Sequence, residues 1–223
     1  MAICVAEHQP ADCCFPNALE AITALEAIIR FKDVAPKAHY YLGNLWYDKR
    51  QYTEAIAEWE KSVEQDDTFP TVLRNLSLAY FNKLGKQEEA VALLERAFKL
   101  DIRDARILME LDQLYKRLNR PHADRLASLD KIKETVFSRD DLYLEYVTLL
   151  NQLGRYEEAI RMIDARRFHP WEGGEGKVPA QYQLARVELV KGYLKSGENE
   201  KALSLIEACF TYPHNLGEGK LYG

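Results

Sequence analysis

The sequence predicts an all-α fold, a right-handed superhelical solenoid of antiparallel helix hairpins with about ten to eleven helices. Three observations predict it. Apolar residues recur at helical spacing in paired segments, and one small-and-large packing pattern returns in phase along the chain. Glycine or a polar residue stands at each intervening turn.

Composition bounds the function before any motif is read. With 223 residues, 47% apolar and 29% charged, the chain excludes a disordered polymer and suits one or two domains or one elongated array. A formal charge of −5 argues against nucleic acid or an anionic membrane as partner, since both require a clustered basic face. The longest apolar runs fall far short of the roughly 20 residues that span a bilayer. Met1 to Ala6 lacks the basic start and apolar stretch of a secretory leader. Cys4, Cys13, Cys14 and Cys209 make no CxxC pair, so a reducing cytoplasm is the expected setting, with Cys209 buried on its helix.

Residues 37–66 hold the clearest unit, split into two amphipathic helices around Lys49-Arg50-Gln51. Leu42, Gly43 and Trp46 share one face of the first helix; Ala55, Ile56, Trp59 and Val63 share one face of the second. Gly43 and Ala55 are small where two helix axes approach, and the tryptophans fill the space beside them. This resembles the tetratricopeptide repeat (TPR). The pattern returns in Leu73, Leu76, Tyr80, Gly85, Ala90, Leu94 and Ala97, with one extra residue near Leu84. It returns again in Tyr143, Leu150, Gly154, Tyr156, Ala159 and Ile163, and in Leu189, Tyr193, Gly197, Ala202, Ile206 and Cys209. Leu108, Leu111, Leu114 and Tyr115 make a good first helix for the third unit. Its partner, from Pro121 to Phe137, has no clear alanine contact position.

The expected organisation is an irregular segment at 1–16, a repeat domain at 17–211 and a linker at 212–223. Within the domain, 17–31 is an orphan second helix, and 36–66, 70–100, 104–137, 140–167 and 179–211 are hairpins. Both ends look cut, so end-to-end self-association is an expectation too.

A longer motif appears twice at an offset of 43 residues. Phe168-His169-Pro170-Trp171-Glu172-Gly173-Gly174-Glu175-Gly176-Lys177 is echoed by Tyr212-Pro213-His214-Asn215-Leu216-Gly217-Glu218-Gly219-Lys220. The spacing predicts two similar loops on one edge of the array. With CFPNALEAI at 14–22, these runs resemble the C-terminal repeat region of large bacterial proteins. Those proteins carry an N-terminal domain of unknown function related to the galactose-mutarotase β-sandwich. The resemblance implies a structural arm packing on that carbohydrate-active type of domain, and makes the parent protein's own N-terminal domain one candidate partner.

The Gly-Glu-Gly-Lys loops do not make a phosphate loop. Val178 and Leu221 stand where its hydroxyl residue belongs, and no strand precedes. His169, Trp171, Glu175 and Lys177 are the loop candidates for a ligand or partner, against a structural reading in which the glycines only form a tight turn. Cys4, His8, Cys13 and Cys14 lack zinc-ligand spacing. His39 falls on a packing position and His122 at a helix start. No catalytic constellation is visible, so the expectation is no enzyme, no cofactor and no metal.

The groove lined by the first helix of each pair is the stronger candidate. Tyr40, Asn44, Tyr47, Arg74, Asn75, Phe81, Arg106, Gln113 and Arg117 interleave aromatic, amide and cationic groups, which suits an extended peptide or helix. The resemblance also implies a test for a carboxylate clamp of two asparagines and three cations. Asn44, Asn75 and Arg106 stand at such positions, but Tyr40 and Glu110 replace two cations. The function read from the sequence is a protein-interaction or scaffolding module binding a peptide or protein partner in its concave groove.

Overall fold

The computed structural model describes residues 18–217, and all regular structure among them is helical. Two compact units divide the chain, one ending at Leu114 and the other beginning at Tyr115.

The first unit contains α1 (Glu20–Phe31), the hairpin α2 (Pro36–Asp48) and α3 (Tyr52–Gln65), and the hairpin α4 (Pro70–Ala79) and α5 (Gln87–Leu100). It also holds most of α6 (Ala105–Arg117). Pro36 and Pro70 open their helices at the first helical position, where a missing N–H costs nothing and φ is already set. Gly43 packs against Ala55 and Trp59: a Cβ on Gly43 would lie 2.5 Å from the Trp59 ring and 3.0 Å from the Ala55 carbonyl. Ala55, Leu73, Ala90 and Leu94 are completely buried and carry the core between these helices.

The second unit contains α7 (His122–Asp130), the short α8 (Lys133–Val136), α9 (Asp140–Gln152) and α10 (Tyr156–Asp164). There follow α11 (Lys177–Ser196), α12 (Asn199–Cys209) and a 3-10 turn, His214–Leu216. Twelve α-helices therefore stand among the described residues, not ten to eleven. The expected single helix at 121–137 breaks at Lys131-Ile132, where Ile132 leaves the helical region. The last hairpin begins at Lys177 rather than 179, because left-handed Gly176 caps the helix start.

Each hairpin turn holds one residue with left-handed backbone: Arg50, Gly85, Asn119, Gly154 and Gly197. The first four are 35, 34 and 35 residues apart. The residue after each closes the preceding helix by donating its N–H to a carbonyl five residues back. The pairs are Gln51 to Trp46 at 2.9 Å, Arg120 to Tyr115 at 3.0 Å, Arg155 to Leu150 at 2.9 Å and Glu198 to Tyr193 at 2.9 Å. In the second hairpin Lys86 reaches six residues back, to Tyr80 at 3.1 Å. The extra residue there is absorbed by a π-helical turn at Tyr80–Leu84, which widens the ring and keeps Gly85 and Ala90 in register.

The third turn departs in another way. Second helices start two residues after the left-handed residue at Tyr52, Gln87, Tyr156 and Asn199, but three after it at His122. Pro121 lengthens this turn by one residue. The place taken by Ala55, Ala90, Ala159 and Ala202 elsewhere falls on Arg125, whose side chain is 2% exposed. That substitution is why the sequence shows no alanine contact here.

Candidate functional site

Three first helices of the hairpins bring a polar network together in the first unit. Asn44 on α2 is buried, and its Oδ1 accepts hydrogen bonds from Trp59 Nε1 at 3.1 Å and from Asn75 Nδ2 at 3.1 Å. Arg74, beside Asn75 on α4, donates Nη1 to Asn75 Oδ1 at 3.2 Å and Nε to Glu110 Oε2 on α6 at 2.5 Å. Its Nη2 meets the other Glu110 oxygen, and Arg106 Nε lies 3.5 Å from that same atom. A fork-to-fork pair of this kind fixes both side chains. Next to it opens a cavity of about 190 Å³ lined by Asn44, Tyr47, Trp59, Asn75 and Leu78. Tyr47 is held there by edge contact with Tyr52 at 5.0 Å and by Trp59 at 5.3 Å.

Of the groove residues expected from sequence, Asn44, Tyr47 and Asn75 line this cavity, with Arg74 and Arg106 grouped around Glu110. Tyr40 does not join them. It is buried, with its ring against Tyr41 and Phe69 at 5.2 and 4.8 Å, because α2 is packed on several sides from Ala38 to Leu45. Phe81 is half-buried in the π turn, Gln113 is half-buried and Arg117 is exposed; none lines the cavity. The clamp arrangement is incomplete in space as in sequence, since Glu110 already holds Arg74 and Arg106. Trp59, read from sequence as packing beside Gly43, is also part of the cavity wall. An aromatic facing a glycine across a hairpin is the signal that could have found it.

In the second unit the loop at 168–177 carries His169, Glu175 and Lys177 exposed and Trp171 half-buried. Trp171 lies over Gly174, where an added Cβ would come within 2.3 Å of its ring. His169 Nδ1 is 3.2 Å from Asp140 Oδ2. Burial pushes the Asp140 carboxyl up, but hydrogen bonds from the His169 N–H and Arg166 outweigh it and hold it below the ordinary range.

The described part of the echoing segment, residues 212–217, does not follow the backbone of the first copy. Gly173 and Gly176 are left-handed in the first copy; in the second it is Gly217, whose counterpart Gly174 is not. Residues 212–217 are also no free linker. Asn215 donates Nδ2 to the carbonyls of Ile163 at 2.9 Å and Arg166 at 3.0 Å, and accepts the Phe168 N–H at 2.8 Å. Leu216 is 1% exposed, so this end is docked on the first loop and α10. Glu218, Gly219 and Lys220 lie outside the described residues, as do Cys4, His8, Cys13 and Cys14. Cys209 is half-buried rather than buried, at the end of α12. His39 is buried with Nδ1 2.6 Å from Glu58. Among the described residues no group of three or more metal-ligating side chains comes together, and no helix is long and apolar enough to cross a membrane.

Comparison with known proteins agrees with this architecture. Residues 36–69 match the family model described as Tetratricopeptide repeat. Among solved structures, YrrB, described as a TPR protein with an unusual peptide-binding site, is similar with a TM-score of 0.60 and 17% identity. The match covers 84% of this chain and 91% of that one. PilF from Pseudomonas aeruginosa matches at TM-score 0.55 and 18% identity over 83% of this chain and 80% of its own. MamA matches at 0.53 and 18% over 77% and 88%. The chain therefore contains a tetratricopeptide repeat within an all-helical repeat fold.

Proposed function

We propose that this chain is a non-enzymatic interaction module that binds an extended segment of a protein partner on the α2, α4 and α6 face of its first unit. Repeats of the tetratricopeptide type generally mediate protein–protein interaction, and the YrrB description, a TPR protein with a peptide-binding site, supports the same reading. The observation that carries it is the cavity walled by Trp59, Tyr47 and Leu78 with the Asn44 and Asn75 amides at its side. Such a pocket takes an apolar side chain while amides meet the peptide backbone. Gln113 and the cation Arg106 belong to the same reading as outlying contacts. A cytoplasmic location fits it.

A second reading, an arm that packs on a mutarotase-like neighbour domain or on another copy end to end, draws on exposed apolar residues at the start of the array. Phe31 is 78% and Val34 61% exposed there.

Affinity capture from source-cell lysate tests the first reading, comparing the chain with a Tyr47→Ala/Asn75→Ala variant of matched thermal stability. A protein held by the original and lost by the variant is the expected result. Identical captured sets from both would overturn the groove as the binding surface.

A further inference from the structure

The hydrogen bonds of the first unit fix which way the two groove amides point. The Arg74 guanidinium only donates, so Asn75 presents Oδ1 to it at 3.2 Å and turns Nδ2 toward Asn44 at 3.1 Å. Asn44 Oδ1 then accepts twice, from Asn75 and from Trp59 Nε1, and both its lone pairs are used. Asn44 Nδ2 keeps no hydrogen-bond partner among the described residues, on a residue 3% exposed that lines the cavity of about 190 Å³. A buried donor left open beside an apolar wall calls for an acceptor brought by a ligand.

On the turn side of the cavity the contacts continue. Tyr47, in its wall, meets the Tyr52 ring at 5.0 Å, and Lys83 Nζ lies 3.9 Å from the centre of that ring. The ring orients the ammonium without neutralising it. Arg50, two residues before Tyr52, is exposed at the same turn. Neither cation has a carboxylate within ion-pair distance among the described residues, and Asp48 is taken by Lys49 at 2.9 Å. Toward α6, Arg74 and Arg106 already have Glu110, so the uncommitted positive charge lies on the turn side.

We propose that the segment bound in this groove is internal and acidic. A large apolar side chain fills the cavity, Asn44 Nδ2 donates to a backbone carbonyl, and carboxylates farther along meet Lys83 and Arg50. This rests on the groove reading given above and adds the chemistry of the partner. Two ring contacts, of 5.0 and 3.9 Å, separate the cavity wall from the ammonium. An extended chain advances about 3.3 Å per residue, which puts the acidic residues two or three places from the apolar anchor. Glu110 repels a chain-terminal carboxylate at the α6 end, so the segment uses no free C-terminus. At physiological salt, charges more than about 8 Å away are screened, and these two cations rather than the chain's net −5 set the local preference.

The probe is the blocked peptide acetyl-Gly-Ser-Leu-Ser-Asp-Glu-Ser-Gly-amide, titrated into the whole chain at low ionic strength and followed by amide NMR. Two companion peptides replace Asp-Glu by Lys-Lys, or Leu by Ala. Shifts at Asn44, Tyr47, Asn75 and Lys83 are expected with the first peptide. Both companions should bind at least about fivefold more weakly. Lys83→Glu should invert the order of the acidic and lysine peptides, a reversal that loss of structure does not produce. If that variant melts lower, Lys83→Gln takes its place and should narrow the preference. Groove shifts with equal affinity for the acidic and lysine peptides would overturn the acidic partner and leave the groove standing. Tighter binding of the same peptide with a free C-terminal carboxylate would overturn the internal placement. No shift at Asn44, Tyr47 or Asn75 with any peptide would overturn this inference and the groove reading together.

Discussion

Gly43 within α2 and Arg50 in the turn that follows it meet opposite backbone demands. Gly43 is needed for close approach, since a methyl group would collide with the Trp59 ring and press the Ala55 carbonyl. Gly43→Ala gains helix propensity but overpacks this contact, and should lower stability by about 1–2 kcal/mol in urea denaturation. Arg50 instead adopts φ +60 where three of the other four turns place glycine, and its side chain is exposed. Left-handed backbone costs a non-glycine residue about 1 kcal/mol, so Arg50→Gly should raise stability by up to that amount. A lower denaturation midpoint for Arg50→Gly would contradict this account of the turn.

The third hairpin and the C-terminal segment each hold one buried anchor. Arg125 pairs with Glu145 where the other hairpins have Ala55, Ala90, Ala159 and Ala202. Removing one partner of a buried pair leaves the other uncompensated, a loss of roughly 3 kcal/mol that Lys116 partly offsets. Arg125→Ala should therefore destabilise the second unit although alanine is the ordinary residue of the repeat. Pairing it with Glu145→Leu should recover part of the loss in a double-mutant cycle. At the other end Leu216 closes the docked C-terminal segment, and Leu216→Ala should cost about 2–3 kcal/mol by cavity formation. A free linker, the form the sequence suggested, would tolerate that change without effect, and thermal melts distinguish the two.

Across the molecule, paired acids and buried phenols set the pH range of stability. Burial raises the carboxyls of Glu58, Asp130, Asp140, Asp141 and Glu145, but their hydrogen bonds and charged partners prevail and hold each below its ordinary 3.8 or 4.5. A depressed folded value contributes stability above the ordinary value and loses it as pH falls through the folded one. Tyr80, Tyr143, Tyr146 and Tyr182 are pushed above 10.0, chiefly by burial. Raised folded values favour the protonated form, so that contribution holds below 10.0 and is lost as pH rises through them. Stability followed by circular dichroism should be flat between these limits, falling below about pH 4 and above about pH 10. A stability maximum within the acid range would contradict it.

The sequence by itself determined the helix pairs, the turn residues at 85, 154 and 197, the small–large contact of Gly43 and Ala55 with Trp59, and the surplus residue before Gly85. These depend on helical period and on neighbours within one hairpin, so chain spacing suffices to read them. Asn44, Tyr47 and Asn75 were legible in the same way, as inward positions on first helices. Only the tertiary structure decided that Tyr40 belongs to the core and Arg74 to Glu110. It also decided that Arg125 replaces an alanine, and that Asn215 reaches back 52 residues to Ile163. The reason is desolvation. A polar group leaves water only where a partner from another helix meets it, and the spacing of one helix does not say which partner arrives.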